Sequence, residues 1–287
     1  MTDYSFEATS NMLDTPSGQL HYHEAGEGPA LLLLHGSGPG VTGWANFEGN
    51  LPFFAKNFRC IIIDFPGYGL TYPVEGDPMA ACFGAVVQIL DGLGIDKAHI
   101  IGNSLGGIIG AGVAANMPDR VGKLVSIGGI GLNLFSSFPA EGLNLLIDFA
   151  EDPTKDKLVR WLRSMVFDHA ILTDELIEQR FERATEPKTL AATRAIYDRS
   201  NMEAMAAGRR SGGAIPVIEH LPKIQAPVLL TWGRDDRVTP LDIGLIPMRL
   251  IPNCELHVFP NCGHWAMIEK KVEFESLVEA FLLRGDQ

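Results

Sequence analysis

The chain has 287 residues, 46% hydrophobic and 20% charged, and 23 Lys and Arg against 35 Asp and Glu leave a net charge of −12. That length allows one large domain or two ordinary ones, and that composition is globular rather than disordered. The acidic balance excludes a nucleic-acid binder, which needs a basic face for phosphates, and a polybasic membrane anchor.

In chain order, the first seven residues carry no cationic stretch before an apolar run, so no secretion signal is expected. Apolar runs of strand length then follow at 30–34, 60–63, 99–101, 124–127, 228–232 and 256–259. Each closes on a glycine-bearing turn: His35-Gly36-Ser37-Gly38-Pro39-Gly40, Asp64 to Gly69, Gly102 to Gly107, Gly128-Gly129, Gly233 to Asp236, and Pro260 to His264. This is the pattern of strands buried on both faces of a parallel sheet. Helical patterns at 79–93, 105–116, 241–250 and 272–283 lie between them, which predicts an α/β fold wound by right-handed crossovers. The longest apolar run, 105–115, is far short of the roughly 20 residues that span a bilayer. No membrane contact and a cytoplasmic location are therefore expected.

From 135 to 215 the rhythm breaks. Only amphipathic helical pattern appears, at 143–149, 157–166 and 175–183, closed by Gly212-Gly213 and Pro216. Such an insertion between two strands reads as a helical cap over the strand ends, with an independent helical domain as the alternative. The expected division is 1–134 and 216–287 for the core and 135–215 for the cap. The cap carries a net charge of −2 and the core −10.

Function in such sheets gathers at the carboxyl ends of the strands. Gly102-Asn103-Ser104-Leu105-Gly106 fits G-x-S-x-G between a strand and a helix, where a tight turn lifts a serine hydroxyl above the sheet. A serine needs a base, and the base needs an acid to orient it. His264 follows the last strand and Asp236 the one before, giving the order Ser, Asp, His of an α/β-hydrolase. Asp235 is the rival acid, and the pattern favours Asp236. His21, His23, His99 and His257 fall in or beside strands, and His169 and His220 in or beside the cap; His35 reads as a structural tie of its loop. The amides of Ser37 and Leu105 are the expected oxyanion donors. Gly110-Ala-Gly-Val-Ala-Ala115 imitates a dinucleotide fingerprint, but it begins inside a helix and has no carboxylate about 20 residues on. Cys60, Cys82, Cys254 and Cys262 form no zinc spacing and read as reduced thiols, so no metal and no cofactor are expected.

The sequence resembles the meta-cleavage product hydrolases, which cut carbon–carbon bonds in bacterial aromatic degradation. The resemblance rests on His35 to Gly40 continuing to Trp44-Ala45-Asn46, on Gly102-Asn103-Ser104, on Trp232 to Arg237, and on Cys262-Gly263-His264-Trp265. It implies a 2-hydroxy-6-oxohexa-2,4-dienoate substrate, a small anion, attacked by Ser104 at the C6 ketone, with proton transfers through His264. It further implies that Gly38, Asn46, Asn103, Trp265 and a cap arginine, best matched by Arg180, line the substrate site, and that the protein is a dimer or higher homo-oligomer. The bland reading of Arg180 is a solvated residue paired with Glu182 or Glu186, and that of Asn103 is a turn residue with unusual backbone angles. Val238 replaces an aromatic found in some members, and 200–214 is longer than the pattern suggests. The resemblance thus implies a serine-dependent carbon–carbon bond hydrolase. An ester or lactone hydrolase with the same triad, and a non-catalytic ligand-binding module, are the alternatives.

Overall fold

The computed structural model describes residues 2–210 and 216–285. The strands are β1 (Ser10–Thr15), β2 (Gly18–Ala25), β3 (Ala30–Leu34), β4 (Arg59–Ile63), β5 (Ala98–Asn103), β6 (Val121–Ile127), β7 (Val228–Gly233) and β8 (Cys254–Phe259). Among the described residues they form one sheet in the order β1-β2-β4-β3-β5-β6-β7-β8. The pairings from β4 to β8 are all parallel, as the six apolar runs predict.

The antiparallel hairpin β1–β2 at one edge matches none of the six apolar runs, although its His21 and His23 fall in or beside a strand as expected. Its outer strand, Ser10-Asn-Met-Leu-Asp-Thr15, is half-exposed and polar, so it makes no apolar run. The available signal was Pro16-Ser17-Gly18, a turn whose glycine has φ +128.

Alternation sorts the strand side chains into two layers. Leu32, Leu34, Ile61, Ile63, Ile100 and Leu124 face one side; Leu31, Leu33, Cys60, Ile62, Ile101 and Val125 face the other. All are fully buried, and each such side chain is worth about 1.5–3 kcal/mol relative to exposure.

The helices are α1 (Phe6–Thr9), α2 (Gly43–Phe47), α3 (Leu51–Phe54), α4 (Pro78–Gly92), α5 (Leu105–Asn116), α6 (Glu141–Glu151), α7 (Lys155–Met165), α8 (Asp174–Thr185), α9 (Pro187–Ile196), α10 (Arg199–Arg210), α11 (Pro216–His220), α12 (Leu245–Leu250), α13 (Ala266–Glu269) and α14 (Lys271–Leu283). Helices α4 and α5 cover the first layer, with Val86, Ile89, Ile109 and Val113. Helices α3 and α14 cover the second, with Leu51, Phe54, Phe274 and Val278. Gly110 lies inside α5, where a Cβ would sit 2.9 Å from Leu124 and 3.0 Å from Ile100. Gly110 of the false fingerprint therefore serves close packing of helix on sheet, while a Cβ at Gly112 would make only an ordinary 3.7 Å contact with Phe83.

One helix differs from expectation. Residues 241–250 begin as a 3₁₀ turn, Leu241–Gly244, and become α-helical only at Leu245. Pro247 has no N–H to bond back to Ile243, so the first turn cannot be α.

Helices α6 to α10 lie between β6 and β7, where the cap was expected, and run longer than the sequence pattern. The closing Gly212-Gly213 and the boundary at 215 lie outside the described residues. Leu146, Phe149, Leu158, Trp161 and Leu162 of α6 and α7 belong to the same apolar cluster as Leu33, Ile62 and Val125, so these helices share a core with the sheet. Lys188 of α9 donates to the carbonyls of Gly69 and Thr71 at 2.7 and 2.9 Å, fastening that helix to the loop after β4. No helix among the described residues is long and apolar enough to cross a membrane.

Two buried histidines make the fold acid-sensitive. His35 Nε2 accepts from Phe65 N–H at 2.8 Å, while Nδ1 bonds the Gly36 carbonyl. His23 Nδ1 bonds Thr9 Oγ1 at 2.9 Å. Burial pushes both rings down to about 4, against about 6.5 in an unfolded chain. Between those values the unfolded chain takes up protons that the fold refuses. Stability therefore falls as pH drops from about 6.5 to 4, by up to about 1.4 kcal/mol per pH unit for each ring. Urea midpoints measured across that range should decrease, and His35→Asn should flatten the slope; a pH-independent midpoint would refute the assignment.

Candidate active site

Ser104 is set between β5 and α5 with φ 52 and ψ −113, a conformation that a non-glycine residue adopts only under strain. Its neighbours must be glycine. A Cβ at Gly102 would lie 2.3 Å from the Gly106 carbonyl carbon, and one at Gly106 would lie 2.1 Å from Leu34 O. The Ser104 amide is pinned to Ile127 O at 2.8 Å. The half-buried side chain makes no capping bond to its own helix.

Asp236 and His264 meet as expected. His264 Nδ1 lies 2.7 Å from Asp236 Oδ2. The aspartate also accepts the amides of Val238 and Thr239 at 2.8 and 2.9 Å and the Thr239 hydroxyl at 2.9 Å. A carboxylate so surrounded by donors is held in place with Oδ2 presented to the ring, and the network assigns an imidazole proton to Nδ1. Nε2 is then the lone-pair nitrogen, and His264 lines the same pocket as Ser104. The backbone of His264 is fixed by a 2.6 Å bond from its N–H to Met165 O at the end of α7. Asp235 instead turns to Arg234 at 3.2 Å and is about a third exposed, so it does not reach the histidine.

The loop after β3 forms the opposite wall. His35 ties it, as expected, and Gly36 N–H donates to Asn46 Oδ1 at 3.2 Å. Ser37 is buried and lines the pocket; neither its N–H nor that of Leu105 has an acceptor among the described residues. The Leu105 amide heads the 12-residue α5, whose amino end favours negative charge. Gly38 also lines the pocket, and the space its missing Cβ leaves is filled by the Trp161 ring.

The remaining expected residues gather there too. Asn46 is buried, and its Nδ2 has no hydrogen-bond partner among the described residues. Asn103 does not have unusual backbone angles; it ends β5 and donates to Ile127 O at 3.3 Å. Arg180 is 5% exposed and pairs with no carboxylate among the described residues, which removes the solvated pairing with Glu182 or Glu186. Its guanidinium stands 5.1 Å over the Trp265 ring and makes one long bond, 3.5 Å, to Pro39 O. Burial, with Arg183 adding to it, pushes it down to about 10, so the charge persists at neutral pH. An unpaired buried cation is costly unless an anion joins it. The inner pocket holds about 20 Å³ of free space, and a larger cleft of about 470 Å³ lies across Arg180 and Trp265, which line both.

Three contributors were missed. Thr239 has a local signal, since Asp236-x-x-Thr239 is a turn in which side-chain oxygens accept or donate locally. Tyr197, whose hydroxyl bonds Ser37 Oγ, and Trp161 have none, because both arrive from the inserted helices. Among the described residues no group of three or more His, Cys, Asp or Glu could hold a metal ion.

Comparison with known proteins gives the family. A sequence profile of the alpha/beta hydrolase fold matches residues 29–271. The 2-hydroxy-6-oxo-6-phenylhexa-2,4-dienoate hydrolase of Burkholderia cepacia is 37% identical, over 99% of this chain and all of that protein. A 2-hydroxy-6-oxononadienedioate/2-hydroxy-6-oxononatrienedioate hydrolase of Burkholderia vietnamiensis is 40% identical, over 93% of this chain and 91% of its own length. Among solved structures, a meta-cleavage product hydrolase from Pseudomonas fluorescens superposes with a TM-score of 0.84 at 29% identity, covering 96% of this chain and 97% of the other.

The two aspartates can be separated by experiment. With p-nitrophenyl acetate as a probe, Asp236→Asn should lower turnover on the order of 10⁴-fold, since the imidazole loses its orienting acceptor. Asp235→Asn, at a half-exposed pair, should stay within about threefold. The reverse ranking would exchange their roles.

Proposed function

The chain belongs to the α/β-hydrolase family and, within it, to the meta-cleavage product hydrolases, and on that premise we propose that it hydrolyses a carbon–carbon bond in a 2-hydroxy-6-oxohexa-2,4-dienoate. The observation that carries this reading is the buried, unpaired guanidinium of Arg180 beside Ser104, Asp236 and His264. A neutral ester gives no return for burying that charge, whereas a dienoate carboxylate does.

In this reading the substrate carboxylate docks on Arg180, whose planar fork suits a bidentate pair. Trp265 stacks under the guanidinium, and the free Asn46 Nδ2, Asn103 and the Gly38 loop face the dienol oxygens and chain. The dienol gives up its hydroxyl proton and gains one at C5, so that C5 becomes a carbon able to leave. His264 Nε2 shuttles these protons, and Asp236 stabilises the imidazolium. Ser104 Oγ adds to the C6 ketone, and the amides of Ser37 and Leu105 receive the oxyanion, each such donor being worth about 3 kcal/mol. Collapse breaks C5–C6, releases the hydroxypentadienoate and leaves an acyl-serine that water hydrolyses to a carboxylic acid. Water is the only co-reactant, and no cofactor enters.

Residues 135–215 serve as the cap over Ser104, with Arg180 of the cap lining both the pocket beside the serine and the larger cleft. The reading also has the enzyme working in the cytoplasm as a homo-oligomer.

A panel of coloured dienoates with varied C6 substituents, set beside p-nitrophenyl esters, tests the function by loss of dienoate absorbance. Turnover of esters alone would replace this reading with an esterase. Ser104→Ala should reduce dienoate turnover on the order of 10⁶-fold; near wild-type cleavage would refute the nucleophile. Arg180→Gln should lower kcat/KM for dienoates about 100-fold, the loss of a charged hydrogen-bonded pair, and leave neutral esters little changed. Equal losses for both substrate types would remove the carboxylate role.

A further inference from the structure

Helices α6 and α7 wall one side of the pocket with Leu143, Leu146, Trp161 and Met165, and Val238 joins them from the loop after β7. The side chains of this wall offer carbon and sulfur everywhere except at one atom. The indole Nε1–H of Trp161 is buried, on a residue only 1% exposed, and it has no acceptor among the described residues. The ring is held against the Gly38 loop: a Cβ there would lie 2.5 Å from its Cη2 and 2.7 Å from its Cζ2. Cζ2 neighbours the ring carbon that bears Nε1, so the edge meeting the loop is the edge beside the N–H. Native interiors pair nearly all such donors, and leaving one unpaired costs about 1–3 kcal/mol.

We propose that Trp161 is a specificity-determining residue whose Nε1–H donates to a neutral oxygen in the acyl group transferred to Ser104. The substrates are then dienoates whose C6 substituent carries an ether, hydroxyl or carbonyl oxygen. The inference rests on the hydrolase reading of the pocket and narrows its substrate class. A hydrocarbon substituent leaves the indole donor as unpartnered as before. A carboxylate on the substituent meets one N–H and no cation on this wall, too little to offset its desolvation. The guanidinium of Arg180 stands on α8 and is taken by the dienoate carboxylate.

The test compares two substrates of equal length, the 6-propyl and 6-methoxymethyl dienoates, in wild type and Trp161→Phe. The ratio of kcat/KM for ether over alkyl should fall about tenfold in the variant, and intrinsic reactivity cancels between the two proteins. An unchanged ratio overturns the proposal. Should wild type cleave neither dienoate, the dienoate reading falls. The Trp161 inference is then decided by p-nitrophenyl methoxyacetate and butyrate, which deliver the same two acyl groups to Ser104. If Trp161→Phe does not fold, inhibition of wild type by methoxyacetate and butyrate decides. About tenfold tighter binding of methoxyacetate supports the donor, and equal binding overturns it.

Discussion

The site depends on how closely α5 can approach the sheet. Four positions carry no side chain where any Cβ would collide. Gly102 faces the Gly106 carbonyl carbon at 2.3 Å, Gly106 faces Leu34 O at 2.1 Å, Gly107 faces Ser126 Oγ at 2.4 Å and Gly129 faces Ser104 O at 2.5 Å. These glycines come from the ends of β5 and β6 and the start of α5, and together they force the turn that strains Ser104. The same approach sets the amino end of α5 beneath the serine and the loop after β3 beside it. A raised serine hydroxyl and two amides therefore come together from one packing constraint. The strained backbone costs about 1–3 kcal/mol, which is small against strands whose side chains each contribute about as much by burial.

What the sequence made legible follows from the range of the forces involved. Strands β3 to β7 were readable because burial on both faces demands an unbroken apolar run; β8, an edge strand with only Phe259 buried, was readable from its short apolar stretch and the glycine turn that closes it. The hairpin β1–β2 was not, because a half-exposed edge strand demands only alternation and a turn. Ser104, Asp236 and His264 were readable because each sits at a strand end with its own turn residues, so a local pattern marks every one. Choosing Asp236 over Asp235 needed only the count from the turn glycine. The contacts that shape the pocket were hidden. Tyr197 meets Ser37 across 160 residues, and Trp161 meets Gly38, through helix packing angles that no local pattern records. Arg180 lies between these cases. Leu176, Arg180 and Ala184 follow one another at helical spacing, and Arg180 and Ala184 are both buried. An arginine on the inward stripe of an amphipathic helix was thus visible, while its missing partner was not.

The pocket has an unusual balance of polar groups, and this explains how an acidic protein can favour an anion. Its free groups are donors: the Arg180 guanidinium, Asn46 Nδ2, Trp161 Nε1, and the amides of Ser37 and Leu105. Against them stand the basic nitrogen of His264, Asn103 Oδ1 and the Ser104 hydroxyl. Such a surface is complementary to a ligand rich in oxygen and poor in hydrogen-bond donors. The net charge of −12 opposes this only weakly, because exposed carboxylates beyond about 8 Å are screened at physiological ionic strength. A guanidinium about 4 Å from a carboxylate gains about 4 kcal/mol at an effective dielectric of about 20. A single buried cation thus outweighs the global field within its own pocket. The charge on the rest of the molecule still repels large polyanions, whose many phosphates cannot all reach the one cation that would receive them.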